Sequence, residues 1–465
     1  MAESMTNSSK SSTADLGVKP IGSLLMKYSL PAIVASLATS LYNIVDSIFI
    51  GRGVGAMAIT GLAITFPLMN LVVAFCVLVA VGGATISSIF LGERNVAKAS
   101  DVVGNVTILC LIHAAVITTI GLLFLDPILY FFGATEETIT YAREFMAIIL
   151  MATPVSYVFL GLNNLMRATG YPRKAMISAL FSVGVNIAAA PVFIFVFDWG
   201  IAGAALATVL GQFAAFIWVL FHFLSKNTYI RFTRGCWKLD RNIISKMYSI
   251  GLSPFLMNCT ACLVVVFINK ALLSTAGADG NLAVGAYGII NRTTMFFVMI
   301  IFGITQGMQP ILGYNFGAAK WERVKTTLHK GLWLGFLVSG IGWALTESMP
   351  DVISGMFTTD ESMISIAREG FRIYFIVYPV VGPQIVIQNY FQSIGKPALS
   401  IFLSLTRQLI FLLPLLLIFA RAWGVNGVWA SMCGSDLLAF FLALITMIIM
   451  NRRLARSMAK HTYNA

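Results

Sequence analysis

Residues 24–50 read LLMKYSLPAIVASLATSLYNIVDSIFI, and the reading of this stretch decides the fold. A helix of about twenty apolar residues crosses a bilayer, so the stretch is long enough to span one. Two residues interrupt the apolar run. Pro31 removes a backbone hydrogen bond and bends a helix at its position. Asp46 sets a carboxylate inside the span, which is expensive unless the acid faces a polar cavity or a partner, and this makes it a functional candidate. A bent span with a buried acid points to a pathway rather than a plain anchor.

The rest of the chain has the same character. Apolar residues make up 58% of its 465 positions and charged residues only 11%, against about 25% charged in soluble domains. A polytopic, all-α membrane protein is expected. The net charge of +12 raises the question of nucleic acid. The basic residues, however, sit in short loops between apolar spans and form no basic run, so no nucleic-acid partner is expected. Residues 1–20, rich in Ser, Thr and Ala, read as a disordered tail and not as a signal peptide. Five of the six cysteines lie inside spans. Cys259 and Cys262 form a CxxC, but no second pair or His cluster accompanies them, so packing is expected rather than a metal or redox site. His113, mid-span, reads as a helix-packing residue or a proton relay.

Twelve apolar segments can be marked: 24–50, 57–91, 98–125, 138–169, 172–197, 199–224, 243–275, 281–313, 324–347, 362–394, 397–421 and 424–450. With both termini on one side, 23 of the 31 basic residues fall on that side and six on the other. Positive charge favours the cytoplasmic face. Both termini are therefore expected in the cytoplasm, in a multi-pass protein of the cell's inner membrane. An odd number of spans would break the alternation.

The chain also repeats itself. YAREFMAIILMATPVSYVFLGLNNLMRATGYPRKA, from Tyr141, lies over IAREGFRIYFIVYPVVGPQIVIQNYFQSIGKPALS, from Ile366, at a shift of 225. Arg143 then meets Arg368, Pro154 meets Pro379, Gly170 meets Gly395 and Pro172 meets Pro397. LGERNVAKA similarly lies over FGAAKWERV. Two six-helix lobes running the same way through the membrane are expected, at 21–230 and 243–465, joined by a basic connection at 231–242. Parallel repeats of this kind rock about a central cavity. An enzyme or a fixed pore needs no such duplication.

Few ionisable residues lie inside spans: Asp46, His113, Lys270, Arg292, Glu347, Arg407 and Asp436. Asp436 is expected to pair with a neighbouring span. Arg407 could hold its half together or line the cavity. Tyr42 and Asn43 share the helix face of Asp46. Asn163 and Asn164 on the fourth span, Asn186 on the fifth and Thr208 on the sixth add polar groups to the same half. Amide and hydroxyl oxygens can ligate Na⁺ or hold a protonated acid. Taken singly, each could instead be interhelical glue worth about 0.6 kcal/mol. The sequence contains no G-x-S-x-G, no H-E-x-x-H and no P-loop, so an enzyme or a nucleotide-driven pump is not expected.

The stretches SLPAIVASLATSLYNIVDSIFIGRGVG, NNLMRATGYPRKA, WGIAGAALATV, ITQGMQPILGYNFGAAKWERV and SLTRQLIFLLP together resemble the multidrug and toxic compound extrusion (MATE) family, in its MepA-like branch. The resemblance implies two six-helix lobes around a central cleft, in a monomer with no cofactor. It implies export of amphipathic, cationic compounds by exchange with H⁺ or Na⁺. It also implies a coupling site, able to take H⁺ or Na⁺, from Asp46, Asn186 and Thr208, with Asn163 lining the same cavity and Pro31 permitting the first helix to bend. Tyr42, Asn43, Asn164, Gln306 and Arg407 are candidates for the substrate cleft. The family commonly reads N-x-x-x-D-P on the fifth helix, whereas this chain reads NIAAAP, with Ala190 in place of the second acid. A flippase or exporter of a lipid-linked or polysaccharide precursor is the alternative within transport, and a polytopic membrane enzyme lies further off.

Overall fold

The computed structural model describes residues 14–226 and 228–463. Among them every regular element is helical. The long helices are apolar around most of their circumference, as lipid-embedded helices are. In order they are α1 (Ile21–Gly53), α2 (Ala56–Gly92), α3 (Val96–Leu123), and α4, in two pieces Ile139–Met151 and Thr153–Ala168 bent by 56°. They continue with α5 (Pro172–Pro191), α6 (Gly200–Leu224), α7 (Arg241–Thr275), α8 (Gly280–Gly317) and α9 (Trp321–Ser348). Last come α10 (Glu361–Tyr374, a tight turn, then Val381–Ser393), α11 (397–422) and α12 (425–463).

Among the described residues nine helices are long and apolar enough to span a membrane, and the bent α4 makes ten. The other two of the twelve have plain origins. The α9 helix is 28 residues long but carries Glu322, Arg323, Lys325 and Lys330 near its start. The α11 and α12 helices run together until the backbone leaves helical geometry at Trp423 and Gly424.

The repeat is visible in the backbone. Arg94 and its counterpart Ala319 both take the left-handed conformation, at φ 61° and 55°, where the chain turns into α3 and α9. Residues with a Cβ rarely adopt this conformation, and finding it twice at the same point marks one turn used in both halves. Gly170 and Gly395 recur in the same way ahead of Pro172 and Pro397, which start α5 and α11 at the first-turn position suited to proline.

The two lobes interlock at the face that carries the termini. The start of α1 (Leu24, Leu25, Tyr28) is buried in a cluster with Ile304, Met308, Leu328 and Val386 of the C-terminal half. The start of α7 (Ile243, Met247, Ile250) is buried among α2, α3, α4 and α6 of the N-terminal half. The far ends of the same two helices return to their own lobes: Ile50 packs with Ala190 and Ile194, and Ile268 with Phe371 and Trp429. Close approach at the crossings requires glycine. A Cβ on Gly251 would meet the Leu78 carbonyl, and one on Gly307 would meet the Ser29 backbone.

One expectation is corrected here. Residues 14–20 belong to the stretch read as a disordered tail, yet they are folded. Asp15–Gly17 form one tight turn with Leu16 fully buried. Asn315 Nδ2 donates to Leu16 O (3.0 Å), Lys320 Nζ to Gly17 O (2.8 Å) and Arg323 Nη2 to Lys19 O (2.6 Å). The order comes from donors some three hundred positions away, which local composition cannot reveal. The expected tail before residue 14 lies outside the described residues.

Candidate functional site

Asp46 is only 6% exposed, and its Oδ1 has no hydrogen-bond partner. A buried carboxylate oxygen left unpaired is strongly unfavourable. One turn earlier on α1, Tyr42 faces the same way, and its hydroxyl lies 3.3 Å from Thr208 Oγ1 on α6. The Thr208 proton goes back to Ala204 O (3.2 Å), so Tyr42 is the donor of that pair. Asn186 Nδ2, from α5, donates to the same Thr208 oxygen (3.1 Å). Three helices thus meet on one hydroxyl. With those donors committed, the groups left over are acceptors: the Asp46 carboxylate and the Asn186 carbonyl oxygen. Such a set suits a proton or a small hard cation.

The helices present these groups for local reasons. Tyr42 and Asp46 are four residues apart and so share a face. Asn43, next in sequence to Tyr42, points away and is exposed. Gly211, one turn after Thr208, lies against the Ser182 carbonyl, so α6 sits close enough to α5 for Asn186 to reach. Ala190, where an acid is common in the family, is completely buried beside Ile50 and Ile194. The site therefore carries one carboxylate.

The other expected residues divide. Asn163 is buried, but its amide is committed to Ala175 O (3.0 Å) and Ser178 Oγ (2.7 Å), tying α4 to α5. Asn164 is engaged with Leu160 O and Arg167. Gln306 is half-buried on α8. Pro31 lies inside an unbroken α1.

Arg407 is paired: its Nε donates to Asp436 Oδ1 at 2.7 Å, and Tyr374 donates to Asp436 Oδ2 at 3.3 Å. It sits in a widened turn, Thr406–Leu412, and its side chain remains 25% exposed. His113 is taken up by Phe75 O and the Tyr248 hydroxyl (2.7 Å), a packing contact between α3, α2 and α7. All six cysteines are free, and among the described residues no group of three or more His, Cys, Asp or Glu could hold a metal.

Sequence reading missed Gln309. Its Nε2 crosses between the lobes to Thr85 Oγ1 (2.6 Å). Gln309 lies inside the quoted motif ITQGMQPILGYNFG, but a glutamine in an apolar helix does not announce which helix it will meet. Ser29 and Ser40 are of the same kind, reaching Ile304 O and the Met299 sulfur.

Comparison with known proteins is consistent with this geometry. The MatE family model matches the chain twice, at residues 31–192 and 258–418, in register with the duplication. The multidrug export protein MepA of Staphylococcus aureus is 26% identical over 445 residues, covering 93% of this chain and 95% of that protein. MepA of Staphylococcus haemolyticus is 27% identical over 429 residues, covering 92% and 94%. Among solved structures, a MATE transporter in a bent conformation superposes with a TM-score of 0.90 at 21% identity, covering 96% of this chain and 99% of that one. An outward-facing MATE multidrug resistance transporter gives 0.88 at 21% identity, covering 96% and 98%.

Proposed function

Since this chain belongs to the multidrug and toxic compound extrusion family, we propose that it exports amphipathic, chiefly cationic compounds by antiport with H⁺ or Na⁺. The observation that carries the reading is the orphaned, buried Asp46 oxygen beside the Tyr42–Thr208–Asn186 cluster. When Asp46 is ionised, the N-terminal lobe can hold an organic cation. When a proton or Na⁺ neutralises it, the attraction is gone and α1 can bend at Pro31, releasing the compound. Coupling of this kind needs a ligand with different affinity for two states, and a change of charge at one buried acid supplies it.

The terminal face, which carries most of the basic residues, is assigned to the cytoplasm. The lobes interlock there through Gly251, Gly307 and Gln309, while the buried clusters at the opposite face each stay within one lobe. The conformation accordingly reads as closed to the cytoplasm and open outward, in the cell's inner membrane, with a single chain as the transporting unit. A lipid-precursor flippase would call for free cations in the cleft to hold phosphates. Arg407 is committed to Asp436, which leaves Arg292.

The test is efflux of a fluorescent organic cation from vesicles, with a pH gradient and a Na⁺ gradient imposed separately. One gradient should drive export, and Asp46→Asn should abolish the response to it. Full gradient-driven export by Asp46→Asn would overturn the reading.

A further inference from the structure

The N-terminal lobe carries a second feature, on its outer flank. An apolar groove of about 240 Å³ lies between α3, α4 and α6. Leu111, Pro154, Val158 and Leu220 form its walls, and Phe232 and Trp237, from the connection between the lobes, cover the end nearest the terminal face. Its one polar wall group, the Thr107 hydroxyl, is already donated to Val103 O at 2.8 Å. An occupant therefore finds no hydrogen bonds inside. Hydrocarbon loses nothing on entering, whereas a peptide or a polar drug leaves its own groups unpaired.

The cover is fixed in place. The Phe232 and Trp237 rings stack at 5.2 Å and 1° between planes. Asn105, fully buried on α3, donates to Lys238 O (3.2 Å) and accepts from Asp240 N (3.1 Å). Phe232 N donates to Phe223 O (3.2 Å) at the end of α6. Lys226, just ahead of the connection, and Arg231, Arg234 and Lys238 within it are all exposed. None of the four forms an ion pair among the described residues. Positive charge without a carboxylate partner thus flanks, in sequence, the groove residues Leu224, Phe232 and Trp237, with Arg231 Nη1 also donating to Lys226 O at 3.2 Å.

We propose that the groove and these four basic residues form a site for an anionic phospholipid of the leaflet on the terminal face, with an acyl chain in the groove and the phosphate on the connection. The direction fits. The α6 helix ends at that face, and from Leu224 back to Phe216 the lining descends about 12 Å into the membrane at 1.5 Å per residue. Clusters of four or more basic residues at a membrane surface select anionic headgroups. A zwitterionic lipid could fill the slot but would gain nothing from these charges, and an organic cation would be repelled by them. A lipid held this way tethers the connection between the lobes to the N-terminal lobe.

The test uses the full-length protein in phosphatidylcholine vesicles doped with brominated-chain phosphatidylglycerol or brominated-chain phosphatidylcholine. Bromine quenches tryptophan at contact, and subtracting the Trp237→Phe protein isolates the Trp237 signal. Phosphatidylglycerol should quench at several-fold lower mole fraction than phosphatidylcholine. Replacing Lys226, Arg231, Arg234 and Lys238 together by Gln should bring the two curves together. Val158→Phe, which fills the groove, should weaken quenching by both. Equal quenching by the two lipids in the unaltered protein would overturn the proposal, as would a preference that survives removal of the four charges.

Discussion

Among the described residues each lobe buries one acid, and the two are treated in opposite ways. Asp436, on the last helix of the C-terminal lobe, is 2% exposed and receives Arg407 at 2.7 Å and the Tyr374 hydroxyl at 3.3 Å. Asp46, on the first helix of the N-terminal lobe, is 6% exposed with an oxygen that nothing donates to. Asp436 thus has a fixed cationic partner, since an arginine keeps its charge under all ordinary conditions. Asp46 has no fixed cation and must find its partner among things that come and go. The pseudo-symmetric frame holds one acid in an ion pair and one acid with an unpartnered oxygen.

The comparison breaks most sharply through stability. Asp436→Asn takes the counter-charge from Arg407, whose side chain is only partly exposed, at a cost approaching the about 3–5 kcal/mol of a broken buried pair, and should lower the melting temperature of the detergent-purified protein. Asp46→Asn removes an unpaired buried charge and should leave the melting temperature unchanged or raise it. Equal destabilisation by the two substitutions would dissolve the distinction. Replacing Arg407 by Met and Asp436 by Leu together should recover most of the stability lost by Asp436→Asn, because a well-packed apolar pair can substitute for a buried ion pair.

Next in size is Thr208→Val. It strips the shared acceptor from Tyr42 and Asn186, at about 1–3 kcal/mol for the orphaned donors. The coupling ion should then bind about tenfold more weakly, read as a shift in the gradient needed for half-maximal efflux. The equivalent cut in the other lobe, Tyr374→Phe, should leave that gradient unmoved.

A smaller effect concerns the N-terminal turn. Burial pushes the Asp15 carboxyl up, but hydrogen bonds from Lys19 and Lys27 outweigh it and hold the group below the ordinary carboxylate range. A depressed folded value means that the contribution of this contact is complete above the ordinary value and is lost as the pH falls through the depressed one. Proteolysis within residues 14–20 should accelerate on acidification in the native protein. The Asp15→Asn protein should show a flatter pH profile.

The smallest effect lies at the opposite face. Arg143 reaches Asp126 with two 2.7 Å bonds, and Arg368 reaches Asp351 at 2.6 Å, the same pairing in both repeats. Both are exposed, and such pairs contribute little. Asp126→Asn and Asp351→Asn should each leave the melting temperature within error. A large drop for one alone would reveal a second asymmetry between the lobes.

The sequence by itself determined the class of molecule, the helix count and the duplication. Lipid offers the backbone no hydrogen bonds, so each span must be a long apolar helix, and that constraint is written locally. It also singled out Asp46, because an acid in an apolar run is conspicuous wherever the helix ends up. Which acid is satisfied was legible only in part. Arg407 and Asp436 are 29 positions apart on different helices, and only packing shows that they touch. Asn163 looked like a member of the Asp46 cavity, yet its amide is used to join α4 to α5. The folded turn at Leu16, the Gln309 bridge and the burial of the α1 start in the C-terminal half all depend on partners more than two hundred positions away. Periodicity and hydropathy describe how a residue meets its surroundings along one helix. The tertiary structure alone decides which helix those surroundings belong to, because that choice is made by shape, by glycine contacts and by hydrogen bonds that close between distant segments.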